Sequence, residues 1–81
     1  MSITGRQIAA GRTLVGLQQS DFAERSSISV ATLKRMEASP AEAMGLMNNS
    51  RAVRQTLEAA GVEFIPENGG GAGVRLRKVT I

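Results

Sequence analysis

Between Gln18 and Glu37 the chain reads QQSDFAERSSISVATLKRME, two short amphipathic segments separated by a few polar residues. This break constrains the fold more than any other feature. A helix that stops and restarts within a few residues cannot run straight, so the second segment must stand at an angle on a scaffold that includes the first. The spacing predicts a helix over Gln19 to Ser26, with Phe22 and Ala23 inward and Asp21 favourably placed in its first turn. SSIS interrupts it. Ser29 is then a good N-cap for a helix from Val30 to about Ala38, and Pro40 marks where that helix ends.

At about 100° per residue, Leu33, Met36 and the acid Glu37 fall on one side of that last helix. Ala31, Lys34, Arg35 and Ala38 fall on the other, with Val30 and Thr32 at the borders. One side reads as an anchor. The other has two small residues, two cations and no acid. A charged face of this kind is either simply solvated or fitted to a groove. Small side chains allow close approach, long cations reach base edges and phosphates, and a DNA major groove about 12 Å wide accepts one α-helix. Two short helices joined by a tight polar turn form a helix-turn-helix, and that context favours the groove.

The remaining segments supply a frame. Thr4 is a suitable N-cap for a helix reaching Val15, with Ile8, Gly11, Arg12 and Val15 at helical spacing and Gly16 ending it. AEAMGLM (41–47) reads as a further helical turn. Asn48, Asn49 and Ser50 offer caps for a helix from Arg51 to Ala60, carrying Val53 and Leu57, with Gly61 as its C′ residue. The fold expected is thus mainly α, with five helices. After Gly61 the period changes: VEFI and VRLRKVT alternate in strand fashion around PENGGGAG, which predicts a β-hairpin with a glycine-rich loop. The organisation expected is a helical domain over 1–61 and a hairpin extension over 62–81. A lone hairpin is marginal in water, so this one must pack on the helices or pair with a second chain.

Composition narrows the function. Eighty-one residues make one small domain, near the size at which a single core suffices without staples. The chain has no Cys and no His, so neither a disulfide framework nor the commonest zinc ligand is present. No metal or other cofactor is expected. No nucleophile–base constellation is visible, so an enzyme is not expected either. No apolar run approaches the roughly 18 residues of a membrane span, and no signal-peptide core is evident. A cytoplasmic location is the expectation. Ten basic and seven acidic residues give a net charge of +3, which favours polyanions modestly. Two Phe with no Tyr or Trp argue against single-strand and RNA readers, which stack bases on aromatic rings. GGGAG (69–73) lacks the Gly-Lys-Ser/Thr ending of a phosphate loop and reads as a flexible connection.

RTLVGLQQSDFAERSSISVATLKRME (Arg12 to Glu37) resembles the helix-turn-helix of XRE-type, phage-repressor-like DNA-binding domains. The matching positions are Arg12, Val15-Gly16-Leu17-Gln18-Gln19, Phe22-Ala23, Ser27-Ile28-Ser29, Thr32-Leu33 and Glu37. LEAAGVEFIPENGGGAGVRLRK (Leu57 to Lys78) is similar to the tail of a subgroup of small bacterial regulators of this type. Together the two matches cover most of the chain. The resemblance implies a five-helix repressor-like domain with a C-terminal hairpin, acting in transcription regulation. It also implies a partly buried ion pair between Arg12 and Glu37, and a contact of Gln19 with the DNA backbone. Three positions depart from the pattern. Ser27 stands where glycine is usual, so the turn needs either a strained left-handed serine or a slightly different path. Gln18 replaces the usual Ser or Thr cap. Val30 and Ala31 stand where many relatives carry polar base readers, leaving them thymine methyl contacts.

The DNA-binding set expected is therefore Gln18, Gln19, Ser29, Val30, Ala31, Thr32, Lys34, Arg35, Asn49 and Arg51. Arg35 is the base reader, its fork suiting guanine O6 and N7, and Lys34 takes a base or a phosphate. Thr32 contacts the backbone or serves the helix start. Asn49 either meets phosphate or caps the last helix. One recognition helix buries too little for selective binding, so a homodimer on a palindromic site is expected. Its interface would be hairpin packing through Val62, Phe64, Val74 and Leu76, whereas Glu63 paired with an arginine would be the plainer use of the hairpin. The reading is a dimeric regulator of double-stranded DNA. The alternative is a protein-interaction module, antitoxin-like or anti-activator, with DNA binding secondary.

Overall fold

A computed structural model of the chain describes residues 3–39 and 47–77. These residues form four helices and a two-stranded antiparallel hairpin, a small α+β domain that is mainly helical. The helices are α1 (Gly5–Leu14), α2 (Gln19–Arg25), α3 (Val30–Ala38) and α4 (Met47–Ala59); the strands are β1 (Val62–Ile65) and β2 (Gly73–Leu76). The fifth helical turn expected over 41–47 lies, before Met47, outside the described residues, as does the expected continuation of the second strand beyond Arg77. Among the described residues no helix is long and apolar enough to cross a membrane.

Helix α4 differs from expectation. It is already helical at Met47, so Asn48, Asn49 and Ser50 are helical residues and not a capping loop. Their weak helix propensity is overridden by the burial of Val53 and Leu57, which fixes the helix from its packed face. The other ends behave as their residues dictate. Val15 ends α1, and Gly16 (φ 73°) and Gly61 (φ 99°) take the left-handed region open to glycine. Ser27 takes it too, at φ 57°, the first of the two paths open to the SSIS turn. The side chain of Gln18 makes no capping bond to α2.

The core comprises Ile3, Ile8, Phe22, Ala23, Leu33, Met36, Val53, Leu57 and Val62, aliphatic apart from one ring. Helix α1 runs through its middle at close range. A Cβ on Gly5 would collide with the carbonyl oxygens of Met36 and Ser39, so the start of α1 lies against the end of α3. A Cβ on Gly11 would lie 3.1 Å from Leu57 and 3.4 Å from Val62, so the same helix also meets α4 and β1.

The hairpin pairs Val62 with Leu76, Glu63 with Arg75, Phe64 with Val74 and Ile65 with Gly73. This register corrects the expected dimer surface. Val62 is fully buried in its own chain's core, and Phe64 and Val74 are partly buried against it. Only Leu76 remains half-exposed. The physical reason is that a two-stranded ribbon must cover its apolar face, and here α1 and α4 pack against it. On the outer face Glu63 pairs with Arg75 at 2.7 Å, with Arg77 at 4.0 Å.

A buried glutamine fastens this hairpin. Gln7 N donates to Thr4 Oγ1 (3.1 Å) and Thr4 N donates to Gln7 Oε1 (2.8 Å), a reciprocal capping box at the start of α1. Gln7 Nε2 then donates to Gly73 O (2.9 Å) and Ile65 O (3.3 Å), the last pair of the ladder. Replacing Gln7 by Ala removes these bonds from two part-buried carbonyls and opens the capping box, at a cost of about 1–3 kcal/mol. The expected result is a lower melting temperature with the Ile65 and Gly73 amides, at the end of the ladder that Gln7 holds, losing hydrogen-exchange protection first. Unchanged protection in the hairpin would contradict the clamp.

Candidate nucleic-acid interface

Helices α2 and α3 are joined by residues 26–29, and three sets of hydrogen bonds fix this joint. Ile28 N donates to Ala23 O (3.0 Å) and Ser27 N to Glu24 O (3.1 Å), closing the turn behind α2. Ser26, buried, donates through Oγ to Thr56 Oγ1 (2.9 Å), which donates in turn to Ala52 O (3.0 Å), tying the turn to α4. Ser29 Oγ accepts from Thr32 N (3.0 Å) and donates to Thr32 Oγ1 (2.9 Å), capping α3.

The root of α3 is an ion pair. Arg12 Nε and Nη2 donate to Glu37 Oε2 (2.8 Å) and Oε1 (3.0 Å), a two-pronged contact, while Arg12 Nη1 donates to Leu17 O (3.0 Å). The Glu37 side chain is 7% exposed and that of Arg12 20%. The hydrogen bonds to Glu37 hold the Arg12 guanidinium above its ordinary range; partial burial opposes this and the Glu37 charge adds to it. A raised arginine keeps its contribution wherever the unfolded chain's arginine is also charged, so Arg12 adds no pH dependence near neutrality.

The expected binding residues divide. Ala31, Lys34 and Arg35 are exposed along one side of α3 with Ala38, while Leu33 and Met36 are buried on the other. Among the described residues neither Lys34 nor Arg35 has an ion-pair partner. Arg35 lies in the last turn of α3, where the helix dipole favours a cation. Val30 is half-buried against the core and Thr32 half-buried with its hydroxyl engaged by Ser29, which leaves Ala31 as the exposed small residue at the start. Gln19 does not face outward freely: its Nε2 donates to Glu37 Oε1 (3.1 Å). Gln18, one residue earlier, is exposed.

Asn49 and Arg51 lie on α4, outside the helix-turn-helix segment. Helix α4 packs chiefly on α1, α2 and β1; Asn49 is half-buried within it and Arg51 is exposed. Two features went unread in the sequence. The clamp of Gln7 had a signal, since Thr4 followed three residues later by glutamine is the capping-box pattern. The bond from Gln19 to Glu37 had none, because the two lie eighteen residues apart on different helices.

Elsewhere, a shallow cleft between the end of α2 and α4 is lined by Arg25, Gln55, Thr56, Ala59 and Ala60, its threonine hydroxyl donating to the α4 backbone. Among the described residues no group of three or more His, Cys, Asp or Glu stands where it could hold a metal ion. The chain matches no protein-family model, and no curated protein matches its sequence significantly.

Loss of one partner of the ion pair strands the other charge. Glu37→Ala is expected to cost about 3 kcal/mol, the low end for a buried pair because Arg12 keeps some solvent. Thermal unfolding checks it. A variant with an unchanged melting temperature and lost duplex binding would show that Glu37 acts at the interface and not in the frame.

Proposed function

We propose that the protein is a sequence-specific binder of double-stranded DNA that regulates transcription. The observation that carries this reading is the two-sidedness of α3. Leu33, Met36 and Glu37 are locked into the body, while Ala31, Lys34, Arg35 and Ala38 form an exposed strip with no acid and with two cations that have no ion-pair partner among the described residues. A strip with that width and charge suits a major groove, with the helix rooted firmly enough to keep its register. The chemistry assigns Arg35 to a guanine edge, Lys34 to a base or phosphate, and Ala31 to a thymine methyl. Gln18 takes the backbone-positioning role in place of Gln19, whose amide is engaged by Glu37.

The domain acts as a homodimer in the cytoplasm, since one short helix buries too little for selectivity and a symmetric site doubles the readout. The second reading is a protein-interaction module. It is favoured by Leu14 and Leu76, exposed at 45% and 50%, and by the short strands of the hairpin, whose edges accept added strands.

A mobility shift against the promoter region of the protein's own gene tests the proposal. Arg35→Ala is expected to cost about 1–3 kcal/mol on a specific site while leaving weak, salt-sensitive binding. Equal binding of wild type and variant to every duplex would reject base reading by α3 and leave the interaction module.

A further inference from the structure

The loop closing the hairpin carries a chemistry independent of any nucleic-acid role. The ladder ends at Ile65↔Gly73. Between them, Asn68 is exposed and followed by Gly69, whose φ is +101°. Beyond its two chain neighbours, no residue has an atom within 4 Å of the position a Cβ on Gly69 would occupy, and the same holds at Gly70 and Gly71. Among the described residues no hydrogen bond engages the Asn68 carboxamide or the Gly69 amide. The side-chain carbonyl carbon therefore has a neighbouring backbone nitrogen with no Cβ beside it, no bond holding its hydrogen and open space around it.

We infer that Asn68–Gly69 is a site of spontaneous deamidation, which places an isoaspartyl-forming modification in the hairpin loop. The Gly69 nitrogen attacks Asn68 Cγ. The new N–Cγ bond closes a five-membered succinimide, the Cγ–Nδ2 bond breaks, and Nδ2 leaves as ammonia with the proton lost from the Gly69 amide. Water then opens the ring at either carbonyl. One opening gives aspartate at position 68; the other gives isoaspartate, with the main chain routed through the side chain. No oxidant or cofactor enters. The hindrance a side chain brings to the following nitrogen is absent at glycine.

The contrast with the other asparagines makes the reaction selective. Asn48 and Asn49 lie within α4, where helical ψ holds the next nitrogen away from the angle that ring closure needs. They are followed by Asn49 and Ser50, which carry side chains. Conversion at Asn68 adds one carboxylate beside Glu67, taking the net charge from +3 to +2. The lengthened backbone of isoaspartate falls where no ladder bond is made, and Gln7 still holds Ile65 and Gly73. The modified chain stays folded.

The test incubates the full chain in neutral buffer at physiological temperature, with a guanidinium-unfolded sample of the same chain alongside. Cation exchange resolves charge variants, peptide mapping by mass spectrometry locates them, and isoaspartyl methyltransferase labels the rearranged product. The expected result is a more acidic, methyl-accepting species mapping to Asn68, formed at a rate comparable to that of the unfolded chain and absent in Asn68→Gln. Retention of the Asn68 amide over the period in which the unfolded chain converts there overturns the inference. Earlier conversion at Asn48 or Asn49 overturns it as well.

Discussion

The fold turns on the contact between Arg12 and Glu37. It joins the last turn of α1 to the end of α3, and its two neighbours extend it: Leu17 O accepts from the same guanidinium, and Gln19 donates to the same carboxylate. One ion pair thus holds α1, the segment after it, the start of α2 and the root of α3. The energetic gain of such a pair over an apolar alternative is small, because both charges lose water on burial. Its directional demand is large. Two parallel bonds fix how α3 rotates about its own axis, and that rotation decides which side chains face outward. With Leu33 and Met36 buried on the same side, Lys34 and Arg35 have nowhere to go but out.

A second restraint sets the other end of α1. Gln7 closes the capping box and holds the final ladder pair of the hairpin, so the strands are attached where α1 begins. Gly5 and Gly11 make this possible by letting backbone and side chains approach a helix surface with no Cβ on it. The hairpin is therefore committed to its own chain along most of its apolar face. Any pairing of two copies in the proposed function must use what remains exposed, such as Leu76, and not Val62.

Much of this was legible in the chain because it rests on local chemistry. The break at SSIS, the cap at Ser29, the left-handed turns and the alternation of VEFI are short-range signals. The inward and outward sides of α3 followed from its period alone, and the partnership of Arg12 with Glu37 followed from the family resemblance. What escaped was set by tertiary packing. The helical start of α4 runs through Asn48, Asn49 and Ser50 against their propensities, because Val53 and Leu57 anchor the helix. Gln19 looked like an outward amide until α3 brought Glu37 beside it. Val62 looked available to a partner, since its alternation tells which face it lies on but not what covers that face.

Selection from a random pool of duplexes measures the central proposal most directly. Wild-type protein is incubated with the pool at physiological salt, and the bound fraction is amplified and sequenced over several rounds. The account predicts enrichment of a two-fold symmetric sequence whose half-sites lie about 10 base pairs apart, centre to centre. Each half-site should contain a guanine whose enrichment disappears in the Arg35→Ala pool. A bound fraction with the composition of the input pool would contradict it.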